Sequence, residues 1–113
     1  MQPEDRIRIG RMRDAASSGV RFVAGRRRED LDADEMLRFA LIHAIEVIGE
    51  AASRVSPEAR QAAPGIPWRE AVGIRNRLVH AYFDVDLDVL WKTARESLPA
   101  LLEQLESLER QGE

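Results

Sequence analysis

The sequence predicts a small all-α protein, an antiparallel bundle of four or five helices, and three observations support this prediction. The chain has 113 residues, a length that suits one domain and leaves little room for two, so we expect a single domain over residues 1–113. Hydrophobic residues make up 44% of the chain, enough to fill one core. They recur at helical spacing throughout, and no stretch alternates for long enough to indicate a strand.

Two long helices are predicted in the N-terminal half of the chain. The first covers residues 4–24. Its inward-facing residues follow helical spacing and are Ile7, Ile9, Met12, Ala16, Val20 and Val23. The second begins after a cap at Asp32 or Asp34 and runs to about Ser53. Because it is apolar on most of its circumference, we expect it to be central and buried, and Gly49 within it predicts the close approach of a neighbour.

The C-terminal half is predicted to contain a short helix and two longer ones. Ser56, followed by proline, is typical of a helix start and begins the short helix. A third long helix is predicted over residues 68–81. Asp86 then caps a fourth over residues 87–109, in which Pro99 should cause a kink or divide the helix in two.

The composition excludes several kinds of site. The chain has no cysteine, which excludes a disulfide scaffold, a thiol nucleophile and a thiolate metal site. Its two histidines, His43 and His80, are too few for a multi-histidine zinc site, so we expect no metal and no cofactor. No apolar run approaches the length of a membrane span and the N-terminus lacks a signal-peptide pattern, so we expect a cytoplasmic protein with no membrane segment.

The charges are unevenly distributed along the chain. The net charge is −3, which argues against a general nucleic-acid coat but is compatible with one local basic site. Residues 1–28 contain eight arginines and three acidic residues, whereas residues 83–113 contain eight acidic and three basic residues. The run of three arginines at 26–28 is interpreted as a solvated turn, with contact to RNA or a partner as the alternative.

One arginine interrupts an apolar stripe on the third long helix. At spacings of four, three, four and three, the stripe consists of Trp68, Val72, Arg75, Val79 and Tyr82. An unpaired arginine cannot be left in a dry core, so Arg75 must meet a carboxylate, open onto a cleft or lie at a subunit interface. A buried ion pair with Glu46 or Glu50 and a functional site are equally compatible with these residues.

The two histidines each have more than one interpretation. On a continuous helix His80 would lie roughly 140° from Arg75, so the two would converge on one phosphate only through the reach of the arginine, distortion at the helix end or two subunits. Asn76 shares a face with His80 and could orient its imidazole. His80 could instead be a favourable partner of the helix dipole. His43, on the buried second helix, is expected to be a core or interface polar group.

Residues 75–82 read Arg-Asn-Arg-Leu-Val-His-Ala-Tyr, which resembles the signature of the HEPN superfamily: arginine, four residues, histidine, one residue and tyrosine. Further blocks resemble the HepT-like toxin branch in order and spacing. They are Ile-Gly-Glu-Ala-Ala at 48–52, Pro-Gly-Ile-Pro-Trp at 64–68, Tyr-Phe-Asp-Val-Asp at 82–86 and Leu-Trp at 90–91. The resemblance covers about residues 30–105.

The resemblance implies an all-α homodimer in which the two motifs face each other across the interface. It implies a metal-independent endoribonuclease, the toxin whose antitoxin partner is a minimal nucleotidyltransferase. His80 would act as acid or base at the ribose 2′-hydroxyl or the leaving oxygen, and Arg75 would stabilise charge on the phosphate of the RNA. Asn76 would orient these groups, Arg77 would support them, and the antitoxin would adenylylate Tyr82. The alternatives are a non-catalytic helical partner of a nucleotidyltransferase and a structural helical dimer.

Overall fold

The computed structural model describes residues 1–81 and 84–112, and for residues 78–81 and 84 the description covers the backbone alone. The first five helices are α1 (Pro3–Val23), α2 (Arg28–Ala33), α3 (Glu35–Ser53), α4 (Pro57–Ala62) and α5 (Trp68–Leu78). After them come β1 (Val79–Ala81), β2 (Asp84–Val85), α6 (Leu87–Lys92), a π-helical segment (Thr93–Ser97) and α7 (Leu98–Gln111). The fold is an all-α bundle, as predicted, with one short two-stranded ribbon among the described residues.

The core is built around α1 and α3, which pack antiparallel against each other. α1 also packs against α7, and α5 packs against α3. Five of the six residues predicted to face inward on α1 are buried or half-buried, but the prediction for Ile7 is wrong because its side chain is exposed. The core stripe of α1 passes through Ile9, and Ile7 lies roughly 200° away from Ile9 around the helix. The central position predicted for the second long helix is confirmed.

The connection between α1 and α3 contains a short helix, α2, and several side-chain hydrogen bonds. Asp34 caps α3 by accepting a hydrogen bond from the Leu37 amide at 3.1 Å, as predicted, but α2 was not predicted. Arg26 donates to Asp34 at 2.8 Å and to Asp30 at 3.4 Å. The hydrogen bond from Arg26 holds the pKa of Asp34 below its ordinary value. Arg26, the first residue of the arginine run, therefore stabilises the connection between α1 and α3 through these two hydrogen bonds.

The predicted cap at Ser56 is confirmed and also connects two distant parts of the chain. The Ser56 hydroxyl accepts from the Ala59 amide at 3.2 Å and donates to the Asp5 carboxylate at 2.7 Å. Trp68, at the start of α5, is buried, and its indole N–H donates to the Ala63 carbonyl at 3.0 Å. These contacts fix the short connecting helix α4 and the loop that leads into α5.

The predicted end of the third long helix is wrong. α5 ends at Leu78, and residues 79–81 form β1, which pairs antiparallel with β2 through Val79 opposite Val85 and Ala81 opposite Asp84. β-branched residues such as Val79 fit a pleated strand well, and the pairing supplies backbone hydrogen bonds that a further helical turn would otherwise supply.

The C-terminal helix is interrupted as Pro99 predicts. Asp86 caps α6 by accepting from the amides of Asp88 and Val89 at 3.0 and 3.1 Å. A π-helical segment follows, and the backbone stays in the right-handed helical region where it joins α7, so Pro99 lies within a helical run just after this irregular turn. No helix in the described part of the chain is long and apolar enough to cross a membrane.

Candidate functional site

An open groove with a volume of ≈ 920 Å³ lies between α1, α3 and α5. Its wall on α1 is formed by Glu4, Ile7, Arg8 and Arg11. The α3 wall and the adjoining helix end contribute His43, Glu46, Val47, Gly49, Glu50, Ala51, Ser53 and Arg54. The α5 wall is formed by Val72, Arg75 and Asn76. The groove therefore combines part of the Arg-x4-His motif with side chains that lie far from it in the sequence.

Gly49 lies on the side of α3 that faces α5. A Cβ at this position would lie 3.5 Å from the Ala71 carbonyl oxygen and 3.6 Å from the Val72 carbonyl oxygen. These are ordinary van der Waals distances, so α5 is the neighbour that the prediction anticipated, but its approach to α3 does not require a glycine. This approach places the exposed side of α5 along one wall of the groove.

The predicted apolar stripe on α5 is only partly correct. The residues of α5 that are buried in the core are Trp68, Ala71 and Ile74. Val72 and Arg75 lie about 100° further around the helix, and both are exposed in the groove. Arg75 therefore occupies a cleft, one of the predicted possibilities, and does not interrupt the core.

Arg75 pairs with one of the two carboxylates that the sequence suggests. Its Nε lies 3.5 Å from Oε1 of Glu46, and the two side chains are 56% and 46% exposed. Glu46 is one of the two partners that the sequence offers, but the pair is exposed, so the alternative of a buried ion pair is not found. Exposed pairs of this kind contribute about 0–1 kcal/mol to stability, so the carboxylate can be exchanged for another anion at little cost. The other candidate, Glu50, pairs with Arg54 at 2.7 Å.

The remaining motif residues lie in different surroundings. Asn76 lines the groove beside Arg75. Arg77 is exposed outside the groove lining, and its guanidinium donates to the Glu70 carbonyl at 3.5 Å. The backbone of His80 belongs to β1, so the i, i+4 relationship predicted between Asn76 and His80 does not hold. The side chain of His80 and the whole of Tyr82 lie outside the described residues.

Sequence reasoning missed several residues of the groove. The core position expected as one alternative for His43 is wrong, because its side chain is exposed opposite the buried stripe of α3 and lines the groove, while the interface alternative stays a prediction. Arg8 and Arg11 share a face of α1 with Glu4 at spacings of four and three, and this spacing could have indicated a charged helix face. Arg54 belongs to the groove only through the packing of α3 against α1.

Among the described residues, no three His, Cys, Asp or Glu side chains lie together in a way that could hold a metal ion. The charged groups of the groove are guanidinium and carboxylate groups. Of these, the guanidinium groups can bind and neutralise a phosphate through hydrogen bonds and charge, whereas the carboxylates position the guanidinium groups with which they pair.

Comparison with known proteins identifies the family. A family model described as ribonuclease HepT-like matches residues 12–108. The chain belongs to the HepT-like ribonuclease family. Membership confirms the resemblance seen in the motif and assigns the chain to the ribonucleases. No solved structure matches the chain significantly.

Individual relatives of this HepT-like chain are archaeal and bacterial proteins. A protein named probable ribonuclease HepT from Thermococcus cleftensis is 44% identical over 82 residues, which is 73% of this chain and 74% of the relative. A protein of Methanocaldococcus jannaschii named as an RNase is 40% identical over 83 residues, 69% of this chain and 76% of that protein. One from Caldanaerobacter subterraneus, also named as an RNase, is 34% identical over 80 residues, 71% of each chain.

Proposed function

We propose that this ribonuclease is a metal-independent endonuclease and the toxin of a toxin–antitoxin pair, with Arg75 and His80 as its catalytic residues. The observation that carries the proposal is the position of Arg75, which is exposed in the groove and paired with Glu46 through a weak contact. A guanidinium held in this way is available to a phosphate. Its planar fork can donate two parallel hydrogen bonds to the phosphate oxygens, a stronger arrangement than a point charge.

The proposed reaction divides the work between the two residues. The ribose 2′-oxygen attacks the adjacent phosphorus, the bond from phosphorus to the leaving 5′-oxygen breaks, and that oxygen takes up a proton. His80 removes the proton from the 2′-hydroxyl or delivers one to the leaving oxygen, a role worth about 10²–10⁴-fold in rate. Arg75 stabilises the charge that accumulates on the phosphate oxygens. Asn76 lies beside Arg75 in the groove and orients the reacting groups, with Arg77 in a supporting role.

The active species is a homodimer in which the two motifs face each other. Support comes from apolar side chains near the start of α3, where Met36 and Phe39 are 82% and 63% exposed and lie seven and four residues before His43, at helical spacing. A second hollow of ≈ 400 Å³ between α1 and α3 includes Phe22 and shares Arg11 and His43 with the groove. Exposed apolar residues gathered in this way are typical of interaction surfaces. A second copy packed on this surface would bring the two grooves together.

The activity is controlled by a minimal nucleotidyltransferase, which transfers AMP from ATP to the Tyr82 hydroxyl and releases pyrophosphate. Tyr82 lies two residues after His80 in the motif, so an attached AMP would bring a bulky group and a negative phosphate close to the catalytic residues. That phosphate would compete with the RNA backbone for Arg75. We propose that both partners act in the cytoplasm, where RNA and ATP are present.

A cleavage assay tests the proposal. The purified protein is incubated with RNA in the presence of EDTA, and cleavage at the same rate as without EDTA is expected. The His80→Ala protein serves as the control for contaminating nucleases. Absence of cleavage with and without added divalent metal, together with tight binding to the nucleotidyltransferase, would contradict the proposal and favour a non-catalytic partner.

A further inference from the structure

The groove extends from Arg75 toward the start of α1 and the end of α3, and three more arginines line this extension: Arg8, Arg11 and Arg54. Arg8 and Arg11 are three residues apart on one face of α1, where side chains are neighbours. Arg54 follows the last residue of α3. The motif residues of the family signature do not include any of the three.

The contacts of these arginines leave their charge available. Nη1 of Arg8 donates to the carbonyl of Arg54 at 2.7 Å, so the guanidinium is positioned by a neutral group. Arg11 is exposed, and no described residue forms an ion pair with it. Arg54 pairs with Glu50, but both side chains are exposed by about two thirds, at 64% and 65%. An incoming phosphate can therefore bind each of them without breaking a buried interaction.

The chemistry of the surface changes along the antiparallel pair α1 and α3. Toward the end of α1 and the start of α3, the second hollow is lined largely by small and apolar residues, including Phe22, Ala40 and Ala44. Toward the start of α1 and the end of α3, the groove is lined by four arginines against three glutamates. The charged groups of this lining therefore sum to about +1 in a chain with a net charge of −3, and two of the arginines are in exposed pairs with glutamates.

We propose that Arg8, Arg11 and Arg54 bind backbone phosphates of a single RNA strand on one side of the phosphate held by Arg75. The inference rests on the proposed function, because it extends the substrate beyond the cleaved bond. Among the described residues that line the groove there is no Phe, Tyr or Trp, and arginines outnumber its one imidazole, so we expect the strand to be held mainly through its phosphates. Binding of this kind is strongly salt-dependent and indifferent to base sequence.

Fluorescence anisotropy with a short, labelled single-stranded oligoribonucleotide tests this assignment. The His80→Ala background prevents cleavage, and affinity is measured at several salt concentrations. Arg11→Gln and, separately, Arg54→Gln should weaken binding, and each should reduce the slope of log affinity against log salt by about 0.7 for each phosphate that is no longer neutralised. Arg6→Gln is the matched control, because Arg6 is exposed on the same helix, carries the same charge and lies outside the groove lining.

Sedimentation of each variant shows whether the oligomeric state has changed. If Arg11→Gln and Arg54→Gln bind RNA with the affinity and salt slope of Arg6→Gln, the inference is wrong, while RNA cleavage by the parent protein would still support the proposed function. If the parent protein neither binds nor cleaves RNA, the proposed function fails. If the two variants bind RNA normally but no longer bind the nucleotidyltransferase, the groove is a protein-binding surface and the inference is overturned.

Discussion

Nε of Arg75 on α5 lies 3.5 Å from Oε1 of Glu46 on α3, and about half of each side chain is exposed. This contact joins two helices that the sequence separates by an intervening helix and loop. Because the pair is exposed, Glu46 can position the guanidinium without making it unavailable to a phosphate. Arg75 can therefore be replaced with little effect on the fold, and its contribution to catalysis can be measured directly.

Replacement of Arg75 should affect activity far more than stability. Arg75→Ala should lose most RNA cleavage and change the free energy of unfolding by no more than about 0.5 kcal/mol, since the side chain is exposed. Arg75→Lys should restore little, because an ammonium does not reproduce the planar fork. Cleavage rates and urea unfolding measure the two effects. Arg69→Ala, an exposed change on the same helix outside the groove lining, is the control, and normal cleavage by Arg75→Ala would contradict the role.

The two histidines can be distinguished by paired substitutions. His80→Ala should reduce cleavage by about 10²–10⁴-fold, the range for a lost general acid or base. His43→Ala is the stringent comparison, because His43 is the other histidine of the chain and lines the groove. It should retain most activity. The reverse outcome, in which His43→Ala is inactive and His80→Ala is active, would indicate that His43 on α3 transfers the proton.

The apolar part of the surface should control the oligomeric state. The double substitution Met36→Glu and Phe39→Glu should convert a dimer into a monomer at micromolar concentration, because it places charge where a second copy would pack. Both side chains are exposed, so each protomer should remain folded. Sedimentation velocity gives the oligomeric state, and Ala100→Glu on the exposed side of α7 is the control. A parent protein that sediments as a monomer would contradict the proposed homodimer in which the two motifs face each other.

Covalent control should depend on Tyr82. Tyr82→Phe should cleave RNA as the parent does but should escape inactivation by the nucleotidyltransferase and ATP, since the acceptor hydroxyl is gone. Intact-mass spectrometry after co-expression should show the gain of AMP on the parent and none on the variant. Tyr82 is the sole tyrosine of the chain, so the assignment is direct. Modification at another residue, or full silencing of Tyr82→Phe through binding alone, would exclude the covalent mechanism.

The stability of the bundle should depend on acid through Asp5. This buried carboxylate accepts hydrogen bonds from the Ser56 amide at 2.8 Å and its hydroxyl at 2.7 Å, and these bonds hold its pKa below the ordinary value although burial opposes them. The Asp5 carboxylate therefore takes up a proton at a higher pH in the unfolded chain than in the folded chain. The stabilisation is present above about pH 4 and is lost as the pH falls through the lowered pKa of the folded protein.

Asp5→Asn should lower the free energy of unfolding at pH 7 by about 1–3 kcal/mol, because hydrogen bonds to a charged acceptor are weakened or removed. It should also flatten the dependence of stability on pH in the acid range. Urea unfolding of both proteins at several pH values measures this. Glu4→Gln, an exposed change on the same helix, should leave the stability almost unchanged. Equal acid sensitivity of Asp5→Asn and the parent would show that another group is responsible.

Local signals in the sequence were sufficient for most helix boundaries. The caps at Asp34, Ser56 and Asp86 and the division of the last helix near Pro99 are found as predicted. A cap or a proline acts on the backbone within about one turn, so these signals need no knowledge of the rest of the fold. The motif at residues 75–82 likewise indicated the ribonuclease family without a structure.

The sequence by itself determined that the chain is helical, where most helices begin and to which family it belongs, whereas only the tertiary structure decided which side of α5 faces the core. Two stripes begin at Trp68, one continuing through Ala71 and the other through Val72, and periodicity does not distinguish them. Packing against α3 buries the first and leaves Arg75 exposed in the groove. The groove itself brings together side chains from three helices, and such contacts depend on packing between segments that are distant in the chain.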